Sequence, residues 1–296
     1  MKPLLALDWG TSSLRGARVG PDGAVLEERS FAQGILTVAK GGFPEVFESC
    51  FGDWMLSSDL CLISGMAGSQ QGWLEAPYCP CPSGFGDIAD KLAWIEWPGP
   101  GRIAIVPGLS VEHQGVPDVM RGEETQIFGA LDLLSLSDAR LVLPGTHSKW
   151  ASVQASRVAD FSTFMTGEFY ALLRRHSILA RTMPDEEPPS DPAVFAQGVR
   201  HALASSGLLN TAFSARTLSL FKRLGSTQLP SYLSGLVIGE EMRSQKLQSG
   251  ETVLVLGADA LATRYAHALD ILGATVQKVD VGVTWRGLRA IAQTLS

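Results

Sequence analysis

Short apolar runs alternate with amphipathic stretches along this chain, and that pattern predicts alternating strands and helices. Apolar runs that stop at Gly, Pro, Asp or Ser are typical of buried strands. Longer stretches with apolar residues every three or four positions are typical of helices. The first half is predicted to hold strands at Pro3–Asp8, Leu14–Val19, Val25–Ser30, Leu60–Ser64 and Ile103–Val106, and helices at Pro44–Leu56, Ile88–Leu92 and Glu123–Leu134.

The second half repeats this style of pattern after a break near Ser137–Arg140. Its predicted strands are Arg140–Pro144, Ser148–Gln154, Val158–Phe164, Thr252–Leu256 and Thr275–Val279. Its predicted helices are Gly167–His176, Ala193–Ser205, Thr211–Leu224, Pro230–Leu247, Asp259–Leu272 and Val283–Leu295. Each half therefore opens with hairpins and continues into helices and further strands, which indicates a weak internal duplication. We expect two α/β domains, 1–138 joined by the closing helix 283–296, and 139–282.

Composition narrows the class of protein. The chain has 296 residues, 45% hydrophobic and 18% charged, so a large core is expected. Its net charge of −6 does not indicate the basic surface that nucleic-acid binding needs. No apolar run approaches the roughly 20 residues that span a bilayer, and Asp8 interrupts any signal-peptide layout. Cys50, Cys61, Cys79 and Cys81 lack zinc-site spacing, which favours reduced thiols in a cytoplasmic protein. The oligomeric state stays open, with a homodimer as one option.

The first candidate for chemistry is the turn Gly10-Thr11-Ser12, which follows the acid that ends the first strand, Asp8. Backbone N–H groups and hydroxyls in such a turn can face an anion. A carboxylate beside them suits a metal-bound polyphosphate, because the acid holds hydrated Mg²⁺ while the donors hold phosphate oxygens. Arg15, just beyond the turn, is a candidate for a further phosphate contact. We name Gly10–Ser12 the first phosphate turn, although a hairpin without a ligand can begin in the same way.

A second turn of the same style is Gly145-Thr146-His147-Ser148-Lys149, which we name the second phosphate turn. It follows an apolar run and precedes a predicted strand. Lys149 is either a solvated strand residue or a cation that neutralises phosphate charge. His147 is either a phosphate contact or a purely structural turn residue.

Two such turns on separate strands resemble the paired phosphate loops of the actin/hexokinase/Hsp70 superfamily. The chain has no P-loop and no dinucleotide-binding Gly-x-Gly-x-x-Gly after its first strand, so a nucleotide site would rest on these turns. The resemblance implies a two-domain actin/hexokinase-like (ribonuclease H-like) α/β fold, with ATP in a cleft between the domains. It also places an adenosine-binding turn at Gly257-Ala258, although Asp259 just after it also suits a helix N-cap.

Two adjacent acids, Glu123 and Glu124, stand at the predicted start of a helix shortly before the second phosphate turn. Carboxylates in a first helical turn are stabilised by the helix dipole, so a structural role is open. Kinases of the superfamily place their base carboxylate at this point of the chain. There it would accept the proton of the attacking hydroxyl during phosphoryl transfer. Glu123 fits that position better than Glu124.

A narrower resemblance covers the chain from end to end. The sequence resembles the 2-dehydro-3-deoxygalactonokinase family in Asp8–Arg15, Gly65–Trp73, Ala76–Tyr78, Val106–Leu109, Asp118–Gln126, Pro144–Trp150, Phe164–Glu168, Leu233–Gly239 and Ala262–Tyr265. Agreement of so many blocks in order is not expected by chance. The resemblance implies ATP-dependent phosphorylation of 2-dehydro-3-deoxy-D-galactonate at its 6-hydroxyl in galactonate catabolism. Pro144 departs from the wider superfamily, where an acid often precedes the second Gly-Thr, so metal binding would rest mainly on Asp8.

The sugar-acid acceptor needs contacts of its own. Ser69, Gln70 and Trp73 lie in a long Gly- and Ser-rich loop, and long loops in compact domains are often functional. Arg121 offers a planar guanidinium for a carboxylate, but its place beside the proposed base argues for the hydroxyl end of the substrate. Thr166 and Glu168 are candidates for the sugar hydroxyls.

Two other functions stay open at this stage. One is a phosphohydrolase of the same fold, such as an exopolyphosphatase, whose Gly-x-Glu-Glu-Ala helix start resembles residues 122–125. The other is a non-enzymatic sugar sensor.

Overall fold

A computed structural model describes residues 2–280 and 282–295 of the chain, and these residues form two compact units. The second unit consists of Arg140–Trp150 and Thr163–Val279. The first unit contains the described residues up to Ala139, the segment Ala151–Ser162, and the described residues from Asp280 onward. These units differ from a single cut at 138/139 mainly in the segment Ala151–Ser162, which packs with the first unit.

The first unit is built on a mixed sheet. Its strands are β1 Leu4–Trp9, β2 Leu14–Val19, β3 Val25–Phe31, β4 Leu60–Gly65, β5 Tyr78–Pro80, β6 Ala93–Ile95, β7 Arg102–Ile105, β8 Gly108–His113 and β9 Val116–Met120, and its helices are α1 Phe43–Met55, α2 Phe85–Ala89 and α3 Glu123–Leu134. Six strands form the sheet in the order β3-β2-β1-β4-β7-β6. β2 is antiparallel to β1, whereas β4 is parallel to β1 and β7 is parallel to β4. β5, β8 and β9 form a separate three-stranded sheet.

A second sheet has a related strand order. The remaining elements are β10 Ala139–Leu143, β11 Ser148–Gln154, β12 Arg157–Phe164, α4 Thr166–His176, α5 Pro192–Leu203, α6 Leu208–Thr211, α7 Phe213–Leu220, α8 Leu229–Ser244, β13 Thr252–Leu256, α9 Asp259–Ile271, β14 Thr275–Val279 and α10 Val283–Gln293. Of the strands, β13, β14 and β10 from Arg140 belong to the second unit, whereas most of β12 and the end of β11 fall in the segment Ala151–Ser162 of the first unit. The five strands have the order β12-β11-β10-β13-β14, which matches β3-β2-β1-β4-β7 of the first sheet. The duplication expected from the sequence is therefore visible in the strand order.

Apolar side chains explain why these elements pack. In the first unit the core lies between the sheet and α1, with Leu5, Leu7, Phe47 and Phe51 fully buried. In the second unit the buried core of β13, α5, α8 and α9 includes Tyr265. Of the described residues, none forms a helix long and apolar enough to cross a membrane.

Glycines allow α10 to pack very closely on α3 in the first unit. A Cβ added at Gly129 of α3 would lie 1.8 Å from the carbonyl oxygen of Val283. A Cβ added at Gly287 of α10 would lie 1.9 Å from the carbonyl oxygen of Thr125. Because contacts this short exclude any side chain, the two helices touch through their backbones. The position of α3, and of the acids at its start, therefore depends on α10.

The structure differs from the sequence-based elements in several places. The segment Ser64–Gly86, predicted as a long loop, contains β5, and β6, β8 and β9 were not predicted at all. The helix predicted at Ile88–Leu92 is instead α2, Phe85–Ala89. The single helix predicted over Thr211–Leu224 is wrong. Two short helices, α6 and α7, meet at Ala212, and the helical part ends at Leu220. The unpredicted strands are three to six residues long and carry little periodicity. β5 pairs with β8, which is distant in the chain, whereas β8 and β9 form a local hairpin through Gln114-Gly115 whose turn signal was missed.

Candidate active site

The first phosphate turn joins β1 to β2, and its backbone conformation is fixed from two sides. Gly10 N donates to Ser13 O at 2.9 Å, and Gly10 O accepts from Ile35 N at 3.0 Å. Gly34 packs so closely that an added Cβ would lie 2.2 Å from the carbonyl oxygen of Thr11. Thr11 and Ser12 are exposed. Backbone contacts thus hold the turn in place, while Thr11 and Ser12, which carry its hydroxyl groups, are exposed to solvent.

Asp8 lies near the end of β1, opposite Arg15 of β2. Arg15 Nη2 donates to Asp8 Oδ2 at 2.5 Å, and both side chains are partly exposed. The guanidinium carbon of Arg15 also lies 5.9 Å from the ring centroid of Trp285. The carboxylate is therefore oriented by a cation and remains accessible from solvent.

Two glycines bring the ends of β1 and β4 together with the start of α3. Gly65 ends β4 with φ +91°, and a Cβ there would lie 2.9 Å from Trp9 O and 3.2 Å from Asp8 Oδ1. Gly122, with φ +107°, precedes α3, and its added Cβ would lie 3.4 Å from Gly65 Cα. Both φ values favour glycine. We call Gly65 and Gly122 the glycine junction, because it places the acid of β1 and the acids of α3 around one patch of bare backbone.

The two acids at the start of α3 have different surroundings. Glu123 is half-buried, and its Oε2 accepts from Arg121 N at 3.1 Å. Glu124 is fully buried, its Oε2 accepts from Gly122 N at 2.7 Å, and its Oε1 has no hydrogen-bond partner. Burial, with a smaller contribution from the charge of Glu123, raises the pKa of Glu124 to about 8. At neutral pH Glu124 is therefore mostly protonated and has no direct route to solvent.

Several buried hydrogen-bond donors in and beside the loop after β4 have no acceptor. Ser69 Oγ is buried and has no hydrogen-bond partner. Arg121 Nη2 donates to Ala76 O at 2.7 Å, and its guanidinium lies 4.4 Å from the ring centroid of Tyr78. Its Nε and Nη1 are buried without partners, and Nη1 would lie 2.6 Å from a Cβ added at Gly68. The guanidinium of Arg121 thus reaches the residue next to Ser69.

The other two loop residues predicted to bind substrate differ in exposure. Gln70 is exposed. Trp73 is partly buried, with its ring centroid 6.1 Å from that of Trp9 and 5.6 Å from that of Phe47. The Trp73 ring therefore anchors the loop to the core of the first unit.

In the second unit, exposure divides the second phosphate turn in two. Thr146 and His147 are exposed, whereas Ser148 and Lys149 are buried. Lys149 Nζ lies 3.4 Å from His147 O, so the ammonium group is held beneath the turn. His147 Nε2 and Glu168 Oε2 are 2.6 Å apart, and Glu168 N donates to Thr146 O at 3.1 Å. The start of α4 is thus bonded directly to the turn.

Backbone contacts bring two further segments to this turn. A Cβ added at Gly167 would lie 2.6 Å from Gly145 O. Gly257 lies beside Pro144, since its added Cβ would be 3.4 Å from Pro144 Cδ. Ala258 is exposed and occupies the N-cap position of α9, which the sequence had offered to Asp259. The second unit therefore groups the second phosphate turn, Gly257-Ala258 and the start of α4.

One buried cluster beneath this group was missed at the level of sequence. Glu241 of α8 is 2% exposed and accepts hydrogen bonds from Trp150 Nε1, Thr166 Oγ1 and Tyr265 OH. The available signal was a pair of acids, Glu240 and Glu241, directly after the mostly apolar run Leu233–Gly239, because an acid that such a helix buries needs partners.

Comparisons with known proteins agree on one family. A model of the 2-keto-3-deoxy-galactonokinase family matches residues 8–291. The chain belongs to this family. It is 38% identical to DgoK1 of Rhizobium meliloti, a candidate 2-dehydro-3-deoxygalactonokinase, over 98% of this chain and 96% of that protein. It is 32% identical to the 2-dehydro-3-deoxygalactonokinase of Escherichia coli K12, over 99% of this chain and 98% of that protein.

Solved structures place this family member in the expected fold class. A candidate 2-dehydro-3-deoxygalactonokinase from Sinorhizobium meliloti superposes with a TM-score of 0.91 at 36% identity, and 99% of each chain is covered. The activator of 2-hydroxyisocaproyl-CoA dehydratase from Clostridium difficile shares the fold at 10% identity, with a TM-score of 0.51 and coverage of 99% of this chain and 96% of that chain. The α/β, actin/hexokinase-like fold predicted from the sequence is confirmed.

The surroundings of Glu124 predict a pH dependence of stability. The carboxyl group binds its proton more tightly in the folded chain, with a pKa of about 8, than in the unfolded chain, where 4.5 is the ordinary value. Its contribution is therefore complete below pH 4.5 and is lost as pH rises to about 8. Glu124→Gln is neutral at every pH, so its free energy of unfolding should rise relative to wild type over that range.

Denaturant unfolding at about pH 5 and about pH 8 measures this difference. Glu112→Gln, at an exposed position on β8, serves as the matched control and should show no comparable trend. A Glu124→Gln difference that is equal at both pH values would contradict the assigned surroundings.

Proposed function

We propose that this chain transfers the γ-phosphoryl group of ATP to the 6-hydroxyl of 2-dehydro-3-deoxy-D-galactonate. The observation that carries the proposal is the full-length family match, together with a site that suits the reaction. Phosphoryl transfer needs a group to receive the hydroxyl proton, donors for phosphate oxygens, and charge compensation for the leaving ADP. The described residues offer candidates for each part.

Glu123 is the base in this proposal. Its carboxylate takes the proton of the 6-hydroxyl as that oxygen bonds to the γ-phosphorus. The bond from the γ-phosphorus to the bridging oxygen breaks, and its electron pair leaves with ADP. Glu124 suits this role less well, because it is fully buried and already protonated at neutral pH. The neutral Glu124 instead holds Gly122 N and so fixes the first turn of α3.

Asp8 is the residue assigned to Mg²⁺. Of the described residues, no group of three or more His, Cys, Asp or Glu is arranged to hold a metal ion. That fits Mg²⁺ in a kinase, which keeps several waters and uses one or two carboxylates plus substrate phosphates. The bare backbone at Gly65 leaves room beside Asp8 Oδ1 that a side chain would fill. When bound, the metal would neutralise phosphate charge, while Arg15 keeps the carboxylate oriented.

The nucleotide contacts are assigned to both phosphate turns and to Gly257-Ala258. Gly10, Thr11 and Ser12 offer N–H and hydroxyl donors from the first unit. In the second unit, Gly145–Lys149 and Gly257-Ala258 are neighbours. A small cavity beside the second phosphate turn is lined by Gly145, Gly167, Leu261 and Arg264.

The substrate carboxylate is assigned to the loop after β4. Ser69 Oγ and two N–H groups of Arg121 are buried without acceptors, and a carboxylate would satisfy donors of this kind. The sequence placed Arg121 at the hydroxyl end of the substrate because it adjoins the base. Its guanidinium instead extends to Gly68 and Ala76, which supports the carboxylate end. Gln70 is exposed beside Ser69 and is proposed as a further contact.

A coupled assay of ADP release over a panel of 2-keto-3-deoxy sugar acids tests this function. We expect ADP release that depends on the acceptor and is fastest with 2-dehydro-3-deoxy-D-galactonate, with phosphate on its 6-hydroxyl by NMR. ATP hydrolysis that is indifferent to every acceptor would instead indicate a phosphohydrolase. Nucleotide and sugar acid that bind without turnover would indicate a sensor.

Separate substitutions test the roles of Asp8 and Glu123. Asp8→Asn keeps the shape of the side chain but removes its charge, and should slow turnover by roughly two or more orders of magnitude.

Glu123→Gln should also depress turnover while ATP affinity stays nearly unchanged, because the lost role concerns the acceptor hydroxyl. Steady-state kinetics with each substrate varied in turn give these values.

The result for Glu123 is interpreted against its neighbour. If only Glu124→Gln showed the kinetic pattern expected of the base, the assignment would move by one residue. If neither variant slowed turnover, both acids would belong to the helix start alone. Near-normal activity of Asp8→Asn would overturn the metal assignment.

A further inference from the structure

A buried carboxylate ties together three elements of the second unit. Glu241 of α8 accepts from Trp150 Nε1 at 2.6 Å with its Oε1. Its Oε2 accepts from Tyr265 OH at 2.7 Å and from Thr166 Oγ1. The three donors belong to β11, α9 and α4 in that order. One carboxylate thus fixes the distances between three segments that are far apart in the chain.

Two of these donors lead directly to the second phosphate turn. Trp150 follows Lys149 on β11, immediately after the turn. Thr166 is the first residue of α4, and the next two residues contact the turn. Gly167 packs against Gly145 O, and Glu168 bonds to both Thr146 and His147. The carboxylate therefore supports the turn from its outgoing strand and from the helix packed against it.

The third donor, Tyr265, keeps its proton and donates a hydrogen bond to Glu241. Burial, together with the charge of Glu241, raises the pKa of Tyr265 well above its ordinary value, so its hydroxyl remains a donor. α9 begins two residues after Gly257, so Tyr265 also links the carboxylate to the proposed adenosine turn. The cluster contains three donors and one acceptor group, and removing that group would leave buried donors unpaired.

Packing alone does not explain an acid in this place. Burial raises the pKa of Glu241, so placing this carboxyl group away from water carries a desolvation cost that its hydrogen bonds only partly offset. An apolar side chain of similar volume would avoid that cost. A directional acceptor is needed only where the orientation of the donors matters. The feature that all three elements share is their contact with, or continuation into, the segments around Gly145 and Gly257.

We propose that Glu241 is a positioning residue for the nucleotide site of the second unit. It holds β11, the start of α4 and α9 in the arrangement that presents the backbone of the second phosphate turn to ATP. It does not touch the nucleotide itself. The inference rests on the proposed function only in taking ATP as the ligand of this turn. It takes Thr166 as a donor to Glu241 rather than as a contact of the sugar hydroxyls, and the loop assigned to the substrate carboxylate plays no part in it.

Glu241→Gln is the main test. Glutamine keeps the size and one acceptor oxygen, but its amide NH₂ faces a donor, so at least one of the three hydrogen bonds is lost. We expect KM for ATP and the Kd for ADP to rise about tenfold or more, as for the loss of a buried hydrogen bond to a charged group. KM for the sugar acid should stay within about twofold.

A neighbouring acid on the same helix supplies the control. Glu240→Gln removes a charge that pairs with Arg243 at the partly exposed side of α8, and should leave both nucleotide constants unchanged. Thr166→Val and Trp150→Phe each remove one donor and should reproduce part of the effect. They keep the test decisive if Glu241→Gln does not fold. Combined with Glu241→Gln, each should add less than its separate effect, because both changes break the same hydrogen bond.

Calorimetric binding of ADP separates this proposal from the proposed function, since it needs no acceptor. A chain that binds ADP but phosphorylates no sugar acid would overturn the proposed function and leave this test intact. If Glu241→Gln lowers the melting temperature while the Kd for ADP and KM for ATP stay at wild-type values, Glu241 is merely structural and the inference is wrong. Equal increases in the KM of both substrates would also overturn it.

Discussion

The arrangement of the first unit depends on one close approach of backbones, at Gly65 and Gly122. A Cβ at Gly65 would lie 2.9 Å from Trp9 O, whereas a Cβ at Gly122 would just touch Gly65 Cα at 3.4 Å, and both residues have positive φ. The hydrogen bond of 3.0 Å between Ser64 Oγ and Thr125 Oγ1 joins β4 to α3 beside this contact. Because main-chain atoms vary less in position than long side chains, the junction fixes where Asp8 and Glu123 begin. The chemistry assigned to them follows from that placement.

In the second unit, different contacts position the second phosphate turn. Gly167 and Gly257 again allow segments to approach the second phosphate turn closely. Here, however, the segments are also bonded to a shared buried carboxylate, that of Glu241. The strand order is repeated between the two sheets, but the supporting contacts are not. The two phosphate turns therefore share a strand order but are supported by different local contacts.

Much of this could be predicted from sequence, because the signals are local. β2, β11, β13, β14 and α3 begin and end where the pattern places them. The phosphate turns were found from an apolar run followed by Gly and Thr. β5 was not predicted because its partner β8 is distant in the chain, whereas the hairpin of β8 and β9 was missed although its turn is local. The break at Ala212 was not predicted either.

The surroundings of individual side chains were the hardest feature to predict from the sequence. The sequence favoured Glu123 over Glu124 from alignment alone, and it could not show that Glu124 is fully buried while Glu123 is only half-buried. It judged Arg121 from its position in the chain, but a side chain of that length extends to Gly68 and Ala76. Trp73 was treated as a loop residue available to substrate, whereas its ring packs against Trp9 and Phe47. In each case the surroundings of the side chain come from neighbours in three dimensions that no local pattern contains.

The central claim is that Asp8 and Glu123 act together in one phosphoryl-transfer step. The most direct measurement is the turnover number of the double variant Asp8→Asn/Glu123→Gln beside the two single variants. Residues that serve the same step are strongly non-additive, so the double variant should be little slower than the slower single variant. A double variant slowed by the full product of the two single effects would show that the residues act independently, and would contradict the account.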